Sequence, residues 1–365
     1  MSDDQVREKP YGFVPVANHE TNGIAAGHHL VAGTAKTPLL SGTLRGTIVS
    51  EASITIASGY VVAIESLKEY RDIDLPSIKQ DQLVAAHMRS RGKRILPGSS
   101  LKGAIRSVVE AITAPGMQFT PSDPRSKRVR GRNVFEIKNR TSNQQLATPP
   151  DLPSISLVNR LFGLTSGRNG YQGHCTFYDA PQAHGSGVIF RRLPLYRPQP
   201  DYSEGDPDIT TNWWRYFHDE ERKQFIGRKF YRSGKSQEVK PPYTAVEACA
   251  VGSQFPFTMH FDNLTEVELG VLLIALGADG RLPRMKIGGG KPVSCGTVHF
   301  ADLVIETLSA ASYLDFEPIS QMVAIDVYVQ AATQSRELFL PGLEKLAEIM
   351  TQPAMFTAGG SERLY

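Results

Sequence analysis

The chain has 365 residues, 41% hydrophobic and 21% charged, with a formal net charge of +3, proportions ordinary for a globular protein of one large domain or two. A charge so near neutral excludes a globally basic nucleic-acid coat, so any footprint on an anion has to be local. The three cysteines, Cys175, Cys249 and Cys295, lie far apart with no C-x-x-C pair, which supports neither a zinc ribbon nor a disulfide framework; the polar N-terminus carries no secretory pattern and the longest apolar run, Val271 to Ala278, is too short to span a bilayer, so a cytoplasmic protein with reduced thiols is expected.

Residues 1–40 are rich in Gly, His and Pro without a clear period and read as an arm that packs on the surface or on a neighbour. From Ser41 to Ile56 the apolar residues alternate, as in a long strand or hairpin arm. Residues 60–94 read as a polar insertion that carries Asp72, Asp74 and Asp81. The strongest local signal follows in Leu96-Pro97-Gly98-Ser99-Ser100-Leu101-Lys102-Gly103-Ala104-Ile105-Arg106. Pro-Gly makes a turn, and Ser99 or Ser100 is placed to cap a helix running from about Ser99 to Thr113. Leu101, Ala104, Ile105, Val108, Val109 and Ile112 form one apolar stripe, while Lys102, Arg106 and Glu110 share another face. Gly103 costs about 1 kcal/mol relative to Ala inside a helix, which predicts close approach of another backbone there. Free amides, small polar residues and two cations a turn apart suit a phosphate backbone; they equally suit a capped helix with a solvated basic face. From Met88 to Arg140 there are thirteen Lys or Arg against three Asp or Glu, a local net of +10, including the run Arg125-Ser126-Lys127-Arg128-Val129-Arg130-Gly131-Arg132. Such a block neutralises several phosphates or forms a solvated loop.

Asp151 to Phe162 predicts a second helix, with Ser154 or Ser156 near its start. Cys175 to Tyr178 and Val188 to Arg191 predict short strands. The proline-rich stretch from Pro194 to Tyr243 reads as an insertion, and its Arg228-Lys229-Phe230-Tyr231-Arg232 either stacks bases or pins an irregular loop. Thr265 and Glu268 form a capping box for a Leu-rich helix that Gly277 stops. The loop Arg284-Met285-Lys286-Ile287-Gly288-Gly289-Gly290-Lys291 then leads into a strand from Gly296 to Glu306. Its glycines permit positive φ, and its amides with the flanking lysines could form an anion nest or simply a structural turn. It fits neither a P-loop nor a dinucleotide fingerprint. Beyond residue 310, Met322 to Tyr328 reads as a strand and Pro341 to Thr351 as a helix.

Four segments, taken in order, carry a family resemblance: Ile95 to Arg106; Asn159-Arg160-Leu161-Phe162-Gly163 with Gly173-His174-Cys175-Thr176-Phe177-Tyr178-Asp179-Ala180; Phe261 to Gly270; and the glycine-rich loop. Over about two-thirds of its length the chain resembles the RAMP superfamily of CRISPR systems, in particular backbone subunits of type III effector complexes. Gly227 to Tyr231 and Tyr11-Gly12-Phe13-Val14-Pro15 are similar to one single-RAMP subgroup. The resemblance implies an α+β, ferredoxin-like (modified RRM) fold, which agrees with the order strand, helix, strands, helix, strand. The core would span residues 41–310 with insertions at about 60–94, 115–150 and 194–243, between an arm at 1–40 and an extension at 311–365. The resemblance further implies a subunit of an antiviral ribonucleoprotein that holds guide RNA by its backbone and leaves the bases free to pair. Its expected partners are guide RNA, target RNA and other CRISPR effector subunits, with no membrane. The candidate RNA-binding residues are Ser99, Ser100, Lys102, Arg106, Arg128, Arg130, Lys286, Gly288, Gly289, Gly290 and Lys291, with no cofactor required for binding. Active relatives cut target RNA with a loop aspartate and a divalent metal. Asp72 and Asp74 are the candidates for that role with Mg2+, although the family's usual pattern around that aspartate is not recognisable here. His28, His29 and His87 raise metal-independent cutting, and a capping or bridging subunit with little RNA contact is the remaining alternative.

Overall fold

A computed structural model describes residues 10–15, 24–25, 39–70, 83–113, 128–129, 132–133, 154–166, 169–192, 218–219, 224–225, 227–233, 244–308 and 320–352. The elements that position the site run in chain order as β1 (Tyr11–Val14), β2 (Leu40–Ser50), β3 (Ala57–Ala63), β4 (Leu83–His87), β5 (Lys93–Leu96), α1 (Gly98–Ile112), α2 (Leu157–Phe162) and β6 (Cys175–Phe177). They continue with β7 (Gly187–Arg192), β8 (Arg228–Tyr231), β9 (Thr244–Cys249), β10 (Gln254–Leu264), α3 (Glu266–Ala275), β11 (Met285–Lys286), β12 (Thr297–Leu308), β13 (Ser320–Met322), α4 (Ile325–Gln334) and α5 (Leu340–Thr351).

The central sheet has the strand order β6-β10-β2-β12-β11, with β13 also on β12, and every pairing is antiparallel. Its two faces differ as strand alternation demands: along β10, Phe255, Phe257, Met259 and Phe261 are buried while Gln254, Pro256, His260 and Asp262 are exposed. Helices α1 and α3 close the apolar face, and Leu101, Ile105, Val109 and Ile112 join Leu269, Leu272 and Leu273 in one core. Each such side chain contributes roughly 1.5–3 kcal/mol by leaving water. Helix α4 packs on α3 at Gly270, where a Cβ would run into the Tyr328 carbonyl. Helix α5 packs on α1, and the Phe339 amide donates to the Ile112 carbonyl at 2.8 Å, satisfying the end of α1.

A second sheet, β7-β9-β4-β3, pairs antiparallel at both outer seams and parallel in the middle, at Val246↔Ala85. Within residues 60–94 the sequence shows no strand period, yet β4 and the end of β3 lie in this sheet, and β5 pairs with Ala180–Pro181. The buried polar residues of these strands, His87 and Arg94, meet Glu247 of β9. Glu247 is fully buried, and its carboxylate accepts from the His87 amide at 3.0 Å, Tyr70 Oη at 3.2 Å and Arg94 Nη1 at 3.2 Å, with Arg89 on the same oxygen as the last two.

Helix α3 has the capping box, with Thr265 Oγ1 accepting from the Glu268 amide at 3.2 Å and the Glu268 carboxylate from the Thr265 amide at 2.8 Å, and Gly277 sits at φ 79° beyond its end. Helix α2 is shorter than predicted, capped by Ser156, whose hydroxyl accepts from the Asn159 amide at 3.3 Å. The predicted strand from Met322 to Tyr328 is mostly helix α4. Its β-branched residues favour a strand, but Ile325, Tyr328, Val329 and Ala332 recur at helical spacing and pack into the core. Among the described residues no helix is long and apolar enough to cross a membrane.

Candidate functional site

A groove of about 760 Å³ has three main walls, with Ile56, Ala57 and Met350 completing its lining. One wall is α1, through Ser100, Gly103 and Ser107; the second is the loop after β11, through Lys286, Gly288, Gly289 and Lys291; the third is Gly227 to Tyr231. The turn-helix and the glycine-rich loop, far apart in sequence, thus face one another. The third wall, β8, is held by the N-terminal strand: β1 and β8 pair antiparallel with Tyr11 opposite Tyr231 and Val14 opposite Arg228.

The start of α1 differs from the sequence expectation. The helix begins at Gly98, and its N-cap Pro97 has no side chain with which to cap it. The cap comes from another segment, the Asp179 carboxylate accepting from the Gly98 amide at 2.8 Å, which also places negative charge at the positive end of the helix. Gly98 is required because a Cβ would run into the Phe177 carbonyl. Ser99 is exposed and Ser100 half-buried, and of the two only Ser100 lines the groove. Gly103 meets no other backbone: a Cβ there has no atom within 4 Å, and the residue leaves a flat place on the groove wall.

Lys102 and Arg106 do not line the groove. Lys102 lies on the β6 side of α1, close enough for its charge to act on the buried Cys175 thiol, whose pKa burial nevertheless pushes up. Arg106 is a tie between helices. Its Nε pairs with Glu110 at 2.9 Å, Nη1 donates to the Gly163 carbonyl at 3.0 Å and Nη2 to Asn159 Oδ1 at 3.2 Å. Its face on α1 is polar, as the helical spacing predicts, but its Nη donors are taken by the end of α2 and its Nε by Glu110.

The lysines of the second wall are unlike surface lysines. Lys286 is only 6% exposed, and its Nζ donates to the Cys295 carbonyl at 3.3 Å. Burial lowers its pKa to about 7, further lowered by Lys291 and partly offset by Cys295. Burial also lowers the pKa of Lys291. Neither has an acidic partner among the described residues. Among the described residues Glu110 is the only carboxylate lining the groove, and it is held by Arg106 and by Arg228 Nη1 at 2.6 Å. A buried cation without a counter-charge is costly, so this wall is suited to an anion. The loop is not the run of free amides that a nest requires. The Gly289 amide donates to Thr55 O at 2.8 Å, Gly296 to Ser53 O at 2.9 Å and Cys295 to Gly290 O at 3.1 Å. Gly288, at φ 82°, packs so tightly that a Cβ would run into Thr55 O. The glycines seat the loop on residues 53–56, and its cations line the groove. Gly290 is buried and does not line it.

On the third wall, Lys229 Nζ lies 3.8 Å from the Tyr11 ring centroid and 5.2 Å from that of Tyr231, contacts of roughly 0.5–2 kcal/mol each. Tyr11 meets Phe13 edge-on at 5.8 Å and Tyr231 at 6.2 Å. The basic-aromatic run therefore pins β8 to β1. Of the remaining candidates, Arg128 lies in a short strand, Arg128–Val129, paired with Arg132–Asn133, while Arg130, Asp72, Asp74, Asp81, His28 and His29 fall outside the described residues. His87 is buried. Its Nδ1 accepts from the Ile56 amide and its Nε2 donates to the Ile95 carbonyl, both at 3.2 Å. Burial drives its pKa down to about 4, so it is neutral and sealed from any substrate, which corrects its reading as a cutting residue. Among the described residues no three His, Cys, Asp or Glu are grouped to hold a metal.

The two middle segments of the resemblance meet in a buried network that sequence reasoning missed. Arg160 and Glu268, both almost fully buried, pair at 2.8 Å. Arg160 Nη1 and Tyr171 Oη donate to His174 Nε2 at 3.0 and 2.9 Å, and His174 Nδ1 donates to Asp262 O at 2.7 Å. The capping-box glutamate is thus also the counter-ion of the arginine in α2. The available signal was an arginine inside a six-residue helix whose other residues, Asn159 apart, are apolar.

A family model described as RAMP superfamily matches residues 48–299, from the end of β2 through the glycine-rich loop into β12. No curated protein matches the chain.

Proposed function

The chain belongs to the RAMP superfamily, and from that premise we propose that it is a guide-RNA-binding backbone subunit of a type III CRISPR effector, of the single-RAMP subgroup. Membership brings a CRISPR-associated RNA-binding role in general; the groove supports the narrower reading. We read β2, α1, β6, β10, α3 and β12, in the sheet order β6-β10-β2-β12, as the ferredoxin-like arrangement, with residues 1–40 as an arm and 311–365 as an extension.

The observation that carries the proposal is the pair of lysines, Lys286 and Lys291, that have no acidic partner among the described residues and face Ser100 across the groove. A phosphodiester placed between them supplies the missing negative charge. The Ser100 hydroxyl is able to donate to a phosphate oxygen or accept from a 2′-hydroxyl. The flat place at Gly103 lets a sugar-phosphate backbone lie against α1 without meeting a side chain. None of these groups reads a base edge, so the bases remain available to pair with target RNA, and sequence specificity comes from that pairing.

The test is RNA affinity across a salt series for the wild type and for Lys286→Met with Lys291→Met. The double variant is expected to bind roughly tenfold or more weakly, with a salt slope shallower by about 1–2. Unchanged affinity and slope would remove the groove as the RNA site.

A further inference from the structure

The inner wall of the groove holds a positive charge that no carboxylate among the described residues balances. Lys286 is buried, and its amine has the neutral Cys295 carbonyl as its hydrogen-bond acceptor at 3.3 Å. Among the described residues the charged and titratable groups around it can each be named, Tyr231 of β8 being one of them. Its own loop brings Lys291 and the Cys295 thiol. Helix α1 brings Glu110, whose two oxygens are taken by Arg106 Nε at 2.9 Å and Arg228 Nη1 at 2.6 Å. Strand β8 brings Arg228 and Lys229. Residues 53–56, which seat the loop, are Ser, Ile, Thr and Ile and do not titrate, and α5 contributes Met350. Glu51, just past β2, is bound to His299 at 2.8 Å and to Arg284. Among the described residues, the charge left over on the groove wall is therefore the positive charge of Lys286 and Lys291.

An amine in such surroundings releases its proton more readily than one in water, because burial and a neighbouring cation both penalise the ammonium. A phosphodiester beside it reverses the balance by providing the anion that the protein omits. Resting on the reading of the groove as the RNA site, we infer that it takes up a phosphodiester together with a proton, which is captured at Lys286. No covalent bond changes: the neutral amine gains a proton from solvent, and the resulting ammonium pairs with the phosphate oxygen.

Burial sets the midpoint of Lys286 in the free protein at about 7, which fixes the sign and window of the effect. Below that pH the amine is already charged, and affinity is independent of pH. Above it the free protein must first take up a proton, so affinity falls as pH rises, approaching tenfold per unit, until the bound complex begins to titrate. Lys291 is less buried than Lys286 and reinforces the site without setting this window.

The experiment uses the full chain and a synthetic single-stranded RNA, with affinity measured from about pH 6 to about pH 9 at constant ionic strength. Calorimetry at about pH 8, in buffers of different ionisation enthalpy, counts protons directly. The wild type is expected to lose affinity above neutrality and to take up close to one proton on binding. Lys286→Arg, which stays charged throughout, is expected to bind well with a flat profile and no uptake, while Lys291→Arg keeps the wild-type profile. A wild-type slope retained in Lys286→Arg, or a flat wild-type profile, overturns the proton coupling while leaving the RNA site in place. A Lys286→Met, Lys291→Met protein that binds like the wild type overturns the RNA site itself. Lysine Cε NMR of the free wild-type protein gives an answer that depends on neither variant: one lysine should titrate near neutrality, and its absence also overturns the inference.

Discussion

Lys286 is placed where its charge works against the fold. Its pKa in the folded chain is about 7 against an ordinary 10.5, so between these values the unfolded chain binds more protons. Stability at this site therefore rises with pH from about 7 to about 10.5, and below 7 the full cost is present. Lys286→Met is expected to be more stable than the wild type at pH 7 by an amount on the order of a few kcal/mol, with the difference shrinking toward pH 10. Urea denaturation of both proteins at several pH values checks this. A variant equal to or weaker than the wild type at pH 7 would show that Lys286 is not a destabilising cation. The two lysines were legible in the sequence because they flank a run of glycines. Arg106 was legible as a polar position and not as a tie to α2, because helical spacing fixes the face of a side chain and not its partners. Asn159 and Gly163 lie more than fifty residues away in sequence.

At the scale of elements, the start of α1 depends on a distant loop. Gly98 gives its amide to Asp179 and leaves no room for a Cβ beside Phe177. Gly98→Ala is expected to destabilise the protein by roughly 2 kcal/mol or more, although alanine is the better helix former, because steric conflict with backbone outweighs propensity. Thermal or urea unfolding checks the sign; a stabilised variant would mean that the loop yields easily. Elements whose determinants are contiguous were read correctly. Helix α3 carries its cap within four residues, and α1 shows its stripe within fifteen. Elements whose determinants are tertiary were not. Helix α4 is rich in β-branched residues and is helical because α3 offers Gly270 as a seat. Strands β3 to β5 carry or adjoin Glu69, Arg89 and Arg94, polar residues that suggest exposure until Glu247, more than 150 residues later, is seen to pair with two of them.

For the whole molecule, the groove joins parts of the chain that lie far apart in sequence. Helix α5 supports β1 at Gly12, where a Cβ would lie 2.8 Å from Ile349 Cγ1; β1 supports β8, and β8 closes the groove. Gly12→Val is therefore expected to weaken RNA affinity severalfold without touching the groove, and to cost roughly 1–3 kcal/mol in stability from overpacking. Binding and denaturation measured on the same variant test the linkage; an unchanged RNA affinity would show that β1 is dispensable to the site. None of this support was legible in the sequence beyond the two segments that resembled a subgroup, Tyr11 to Pro15 and Gly227 to Tyr231, which prove to be the two strands of one pair.

The pairing of β1 with β8 also sets an order of events during synthesis. Strand β1 leaves the ribosome well before its partner, which follows more than two hundred residues later, and the helix that seats it ends at Thr351. Contacts of such long range form late and slowly. The groove is therefore completed only when nearly the whole described chain has been made, and a nascent chain that already has both α1 and the glycine-rich loop still lacks the seat for its third wall.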